Sequence, residues 1–300
     1  MQKISLFFMS VFVILLNLGC DGMNEAQTSY KPTGTYQGNT RYVIGVNAYL
    51  SSKEMFIAYR PIVDYLERHM NGVKFELATS KNFIEYEKRL NKSEFHFALS
   101  NPYQSLISFD HHYYPIAKMK NDEEFRGFFI ARKDSHLRHY SQLNGKVISF
   151  AAPTAFAGTI MPKYYLWEHG IDVRHDMVVR YVGSHFSAIM NVYAGDALVA
   201  GTWPLAWEQW AKDNPQKASE LEVVWNTKSL TNNALVARSD VPVAIVQKVT
   251  QLLIGLDSTQ EGRELLQRAG FEGFDVANRQ TFVPVEEFLN RYSNTIGKIQ

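Results

Sequence analysis

Short apolar runs of strand length alternate with helix-length runs in two separate stretches of this chain, and few folds accommodate that alternation. In the first stretch, residues 42–46, 73–78 and 95–99 read as buried strands with helices between them. Ser51 with Glu54 has the capping-box spacing and starts one helix; Asn82 with Glu85 starts the next. The second stretch reads strand 146–150, helix to 169, strand 177–182, helix to 194, strand 197–201 and helix 205–212. The fold class expected is α/β, with two lobes, each a mostly parallel sheet flanked by helices.

Two further runs look alike. Phe128-Phe129-Ile130-Ala131-Arg132 and Ala234-Leu235-Val236-Ala237-Arg238 both end in Ala-Arg, and each has an aspartate two residues on, Asp134 and Asp240. They flank the second stretch and are expected to be two strands that cross between lobes. The second lobe is then an insertion, residues 132–234, in a first lobe made of 41–131 and 235–300. Beyond residue 240 the pattern is mainly helical. Ser258 with Glu261 marks one more helix start, and 282–292 reads as a final short helix.

Three hundred residues agree with two lobes, and 46% hydrophobic with 20% charged residues is an ordinary globular composition. A net charge of +1 argues against a nucleic-acid-wrapping surface. Residues 1–19 read as a signal peptide: Lys3 is followed by an apolar run at 4–16, too short for a comfortable membrane span. The single cysteine, Cys20, stands just after Gly19, which resembles a bacterial lipoprotein signal cleaved before a lipidated cysteine. Asn17 departs from the leucine usual three places before that cysteine. Residues 20–40 are polar and read as a flexible tether. Asp21 after Cys20 resembles a signal for retention at the inner membrane, so the expected location is its outer, periplasmic face.

In open α/β sheets, ligands bind beyond the carboxyl ends of the strands. That rule selects the loops at 47–52, 100–103, 151–158, 183–185 and 201–203. The loop Ala151-Ala152-Pro153-Thr154-Ala155-Phe156-Ala157-Gly158 stands out, because a strand that turns at a proline into a helix leaves backbone N–H groups free for an anionic or polar ligand. Tyr49, Asn101 and Tyr103 come from the first-lobe loops, where polar-tipped aromatics suit a cleft wall. Ser184 and His185 start a second-lobe helix, where the histidine could donate a hydrogen bond or, if charged, neutralise an anion. Trp203 and Trp207 follow the next strand, where an indole serves either as cleft wall or as core.

An ordered series of segments resembles the phosphate/phosphite/phosphonate-binding family of ABC-transporter solute receptors. It comprises residues 59–66, Arg132-Lys133-Asp134-Ser135, residues 143–147, the loop at Pro153, Gly183-Ser184-His185 and residues 237–242. The resemblance covers roughly residues 41–292 and implies a type II periplasmic binding protein that closes two lobes on its guest. It also implies an inner-membrane ABC permease as partner, no cofactor and a monomer. In that family the ligand loop usually carries Ser-Thr-Ser before the glycine, whereas this chain has Ala155-Phe156-Ala157. Hydrogen bonds to a charged group are worth roughly 1.5–3 kcal/mol each, so three lost hydroxyls put the phosphonate ligand in doubt. A smaller or less charged anion, or one with an apolar part on Phe156, is expected instead. The loop also suits a receptor that signals to a membrane sensor kinase or cyclase rather than a permease.

No Gly-x-Ser-x-Gly elbow, His-Glu-x-x-His pair or Walker loop occurs, so no catalytic residues are expected. The nine histidines, including the adjacent His111 and His112, read as solvated loop residues rather than a metal site.

Overall fold

The computed structural model describes residues 40–299, which lie within one compact unit. The signal segment, Cys20 and most of the tether lie outside the described residues. In chain order the first half is β1 (Thr40–Val46), α1 (Ser52–Arg68), β2 (Val73–Ala78), α2 (Phe83–Asn91), β3 (Phe97–Ser100), α3 (Pro102–Ser108) and β4 (Tyr113–Met119). Next come β5 (Phe128–Arg132), β6 (Val147–Phe150), α4 (Met161–Glu168), α5 (Val173–Asp176), β7 (Val178–Tyr181), α6 (His185–Ala194), β8 (Val199–Thr202), α7 (Pro204–Asp213), α8 (Pro215–Ala218) and β9 (Leu221–Asn226). The chain then returns through β10 (Ala234–Arg238), α9 (Val243–Ile254), α10 (Gln260–Ala269), β11 (Phe274–Val276) and α11 (Val283–Thr295). No helix among the described residues is long and apolar enough to cross a membrane.

Two sheets result, ordered β11-β4-β10-β3-β1-β2 and β7-β6-β8-β5-β9. Both are mixed rather than mostly parallel. In the first, β1 pairs in parallel with β2 and β3, while β10 is antiparallel to β3 and β4. In the second, β6 pairs in parallel with β7 and β8, while β5 is antiparallel to β8 and β9. The look-alike runs are therefore not strands that span both halves. Each is held on both edges by antiparallel partners of a single sheet, so residues 128–131 sit with the second half. The crossings are the segments just before them, 120–127 and 227–233. They run side by side: Thr227 N–H donates to Gly127 O, and Gly127 N–H donates to Thr227 Oγ1, both at 2.9 Å.

Local sequence explains the element starts. Ser51 and Glu54 form the expected capping box, worth about 1 kcal/mol, and α1 buries Met55, Ala58, Tyr59, Ile62, Val63 and Leu66 along one face. Asn82 Oδ1 accepts from Glu85 N–H at the start of α2. For α10 the cap is Thr259, not Ser258, because Ser258 belongs to the preceding 3₁₀ turn and Thr259 Oγ1 receives Gly262 N–H. The first sheet's apolar core continues across the seam into Phe156, Met161, Trp203 and Ala206. The second sheet carries one core on each face, around Phe129, Phe150 and Leu166 and around Ile130, Ile189 and Trp210.

Candidate ligand-binding cleft

A small cavity of about 20 Å³ lies at the seam between the two sheets, room for roughly one water-sized guest. Asn47, Tyr49, Phe83 and Asn101 line it from the first half. Residues 155–158, His185 and Trp203 line it from the second, and Phe125 and Asn233 from the two crossing segments. None of the lining residues is a lysine, arginine, aspartate or glutamate.

The ligand loop supplies the central feature. After Ala155 the backbone enters a π turn, Phe156–Ile160, that runs on into α4. Thr159 and Ile160 N–H both donate to Ala155 O, at 2.8 and 3.2 Å. The N–H groups of Phe156, Ala157 and Gly158, the first three of the helix, find no acceptor among the described residues. The phenyl ring of Phe156 is 1% exposed, stacked on Phe125 at 6.1 Å and met edge-on by Phe288 of α11 at 5.6 Å. Glycine is required at 158 by close approach. A Cβ there would stand 2.3 Å from His185 Cε1, and one at Gly201 would stand 2.3 Å from Gly158 O.

Three buried polar side-chain atoms around the same cavity have no hydrogen-bond partner: Asn47 Oδ1, Asn233 Oδ1 and Trp203 Nε1. Buried polar groups are seldom left so, and each unmet one costs about 1–3 kcal/mol. Their convergence on one small space marks it as built to receive something polar. The indole N–H of Trp203 can only donate; either amide can turn to present N–H or oxygen.

Several expected site residues have other occupations. Tyr49 lines the cavity with its ring, edge-on to Trp203 at 5.4 Å, but its hydroxyl pairs with Tyr59 at 3.0 Å, and burial pushes its pKa up to about 12. Asn101 Oδ1 caps α3 by receiving Gln104 N–H at 2.9 Å, while its Nδ2 donates across the seam to Thr154 O at 3.0 Å. Thr154 lies outside the lining, with its hydroxyl on Glu87 Oε1. Tyr103 is half-buried and also outside the lining; burial first, then the Glu87 charge, raises its pKa. Ser184 caps α6, its Oγ receiving Ser187 N–H at 3.0 Å. His185 lines the cavity, with Nδ1 3.3 Å from Thr202 Oγ1. Burial pushes its pKa down to about 3, so it is a neutral ring at physiological pH and offers no cation to a guest. Ala155, Phe156, Ala157 and Trp203 are on the cavity wall.

Asn233, Phe83 and Phe125 are lining residues that strand-end reasoning misses. Asn233 directly precedes β10, and Ala234 pairs with Ser100 in antiparallel register. The entry end of an antiparallel strand thus shares an edge with the exit ends of parallel ones, and the Asn-Asn pair at that entry was the available signal. Among the described residues no group of three or more His, Cys, Asp or Glu could hold a metal ion.

Two α/β halves joined by paired crossings, with a cavity at the seam that gathers unmet polar atoms, define a two-lobed solute-binding protein of the type II periplasmic kind. Comparison with known proteins narrows the class. Residues 44–282 match the family described as ABC transporter, phosphonate, periplasmic substrate-binding protein, and the chain belongs to that family. It is 24% identical over 195 residues to a probable ABC transporter phosphite binding protein, PhnD1, of Prochlorococcus marinus; the match spans 61% of this chain and 63% of that relative. Among solved structures it resembles a binding-protein component of an ABC phosphonate transporter from Pseudomonas aeruginosa, with TM-score 0.79, 15% identity, and 86% and 88% of the two chains covered. It also resembles PhnD1 of Prochlorococcus marinus in complex with methylphosphonate, with TM-score 0.77, 19% identity, and 85% and 99% covered. Likeness at that identity concerns the fold.

Proposed function

We propose that this protein is the extracytoplasmic receptor of an ABC transporter and that it captures a small oxyanion of low charge. The observation that carries the reading is a set of neutral N–H donors around one cavity. They are the three free amides of residues 156–158 at a helix start and the Trp203 indole N–H; the unmet oxygens of Asn47 and Asn233 become donors only when those amides turn over. Helix-start amides favour negative charge, and the lack of any cationic side chain in the lining favours a guest that needs little neutralising. The rings of Phe125 and Phe156 suit an apolar substituent, such as the methyl of methylphosphonate, the guest in the Prochlorococcus marinus structure. A guest larger than about one water holds the halves further apart than they stand here, so capture proceeds by entry with the lobes open and closure onto the guest.

Membership of a family of substrate-binding proteins supports binding rather than catalysis. The receptor works as a monomer held by a lipid on Cys20 at the periplasmic face of the inner membrane, beside its permease. Its sequence position after an apolar run supports this, and release of a Cys20→Ser protein from membranes tests it. For the ligand, the test is a thermal-shift series with phosphite, methylphosphonate, methanesulfonate and a neutral methyl sulfone. A guest at a hundred times its Kd adds about 2.7 kcal/mol of stability. At least one oxyanion is expected to raise the melting temperature; stabilisation by the sulfone alone sinks the oxyanion reading.

A further inference from the structure

Behind the ligand loop stands one charged side chain that the cavity lining does not include. Glu87 projects from α2 in the first half, and its Oε1 receives two donors, Gln104 Nε2 at 2.9 Å and the hydroxyl of Thr154 in the second half. An oxygen that takes both an amide N–H and a hydroxyl is bonded as an ionised carboxylate is. Burial raises its pKa, while the hydrogen bonds from Gln104 and Thr154 oppose the rise. Gln104 is itself the N3 residue of the α3 capping box, and the Asn101 of that box donates to Thr154 O. Both oxygens of Thr154 are therefore gripped from the opposite half, two residues before the free amides begin.

This puts a fixed negative charge at the same helix start that offers its amides to a guest. No lysine or arginine lines the cavity to offset it, and His185 is neutral. We propose that Glu87 is the specificity-determining residue that makes this cleft a receptor for singly rather than doubly charged oxyanions. The inference rests on the oxyanion reading above. Coulomb repulsion scales with the charge of the guest. Removing the carboxylate by Glu87→Gln therefore improves a monoanion by some factor and a dianion by that factor squared.

The test pairs methanesulfonate with sulfate, tetrahedral sulfur oxyanions of one and two charges, titrated calorimetrically. The unmodified protein is expected to prefer methanesulfonate. Glu87→Gln is expected to tighten methanesulfonate about tenfold and sulfate about a hundredfold, shifting their ratio about tenfold. Glu87→Asp keeps the charge and is expected to leave the ratio within about twofold. Thr154→Val removes the hydroxyl's share of the grip without removing the charge, so it should weaken both guests alike; that control separates charge selection from support of the closed form. An unchanged ratio in Glu87→Gln, with both guests still bound, overturns the role of Glu87 alone. No binding of either guest by the unmodified protein overturns the oxyanion reading and the inference with it. Should Glu87→Gln not fold, a sulfate preference in unmodified protein or in Glu87→Asp is by itself contrary to the proposal.

Discussion

Asn101 and Trp203 face one cavity from opposite walls, both buried, and they differ in what they have left to give. Asn101 caps a helix with its oxygen and ties the seam with its nitrogen. Trp203 packs its ring against Tyr49 and Phe125 and leaves its N–H unmet. The contrast extends along each wall. On the first-half side, Tyr49 and Asn101 are already hydrogen-bonded within the protein, while Asn47 keeps an unmet oxygen, an acceptor rather than a donor. On the second-half side, residues 156–158 carry no side-chain donor, yet their backbone amides are free. The lesson is that availability, not residue type, makes a binding group: a polar side chain at a strand end is as often a clasp as a contact.

The strongest way to break this contrast is to remove the apolar packing that holds the second wall in place. Phe156→Ala strips a ring enclosed by Phe125 and Phe288 and should cost about 4 kcal/mol in chemical denaturation, with slope unchanged. A loss under 1 kcal/mol would mean that the ring does not hold the loop. Next in size is an acid effect from His185. Its folded pKa, about 3, lies below the ordinary value of 6.5, so the unfolded chain binds the proton first as pH falls. The stability tied to the neutral ring is thus present above pH 6.5 and declines toward pH 3. The expected loss is about 2 kcal/mol between pH 7 and 5. His185→Gln should flatten that slope, and a slope that persists in the variant would assign the effect to other groups. The smallest effect sharpens the first-wall reading. Asn101→Ala loses a helix cap and one cross-seam hydrogen bond, about 1.5 kcal/mol. Asn101→Asp keeps the cap and loses only the donor, so it should recover more than half of that.

Much of the fold could be read in advance because its signals are local. The capping box at Ser51, the cap at Asn82 and the apolar runs of β1, β2 and β6 each act within a few residues. The strands with weak local signals depend on partners far away. β4 holds a proline, which lacks a ladder N–H, yet it lies inside the sheet because its pairing with β10 shifts register beside Pro115. β9 is an edge strand whose residues are mostly half-buried or exposed, so it shows no sharp apolar pattern. The likeness of residues 128–132 to 234–238 was real but pointed to strands where crossings land rather than to the crossings. The site divides the same way. Ala155, Phe156, Ala157, His185 and Trp203 follow from strand-end geometry. The clasp made by Asn101 and Thr154 and the approach of Asn233 needed the tertiary structure, because each joins positions dozens of residues apart.

Phe288 carries a last implication. It belongs to α11, near the far end of the chain, yet its edge braces the ring of Phe156 in the middle. Emerging from a translocation channel, the polypeptide can lay down both sheets before that helix arrives. Until residues 283–295 dock, the loop's ring lacks its backing, so competence to seize a solute should be among the last properties this molecule acquires.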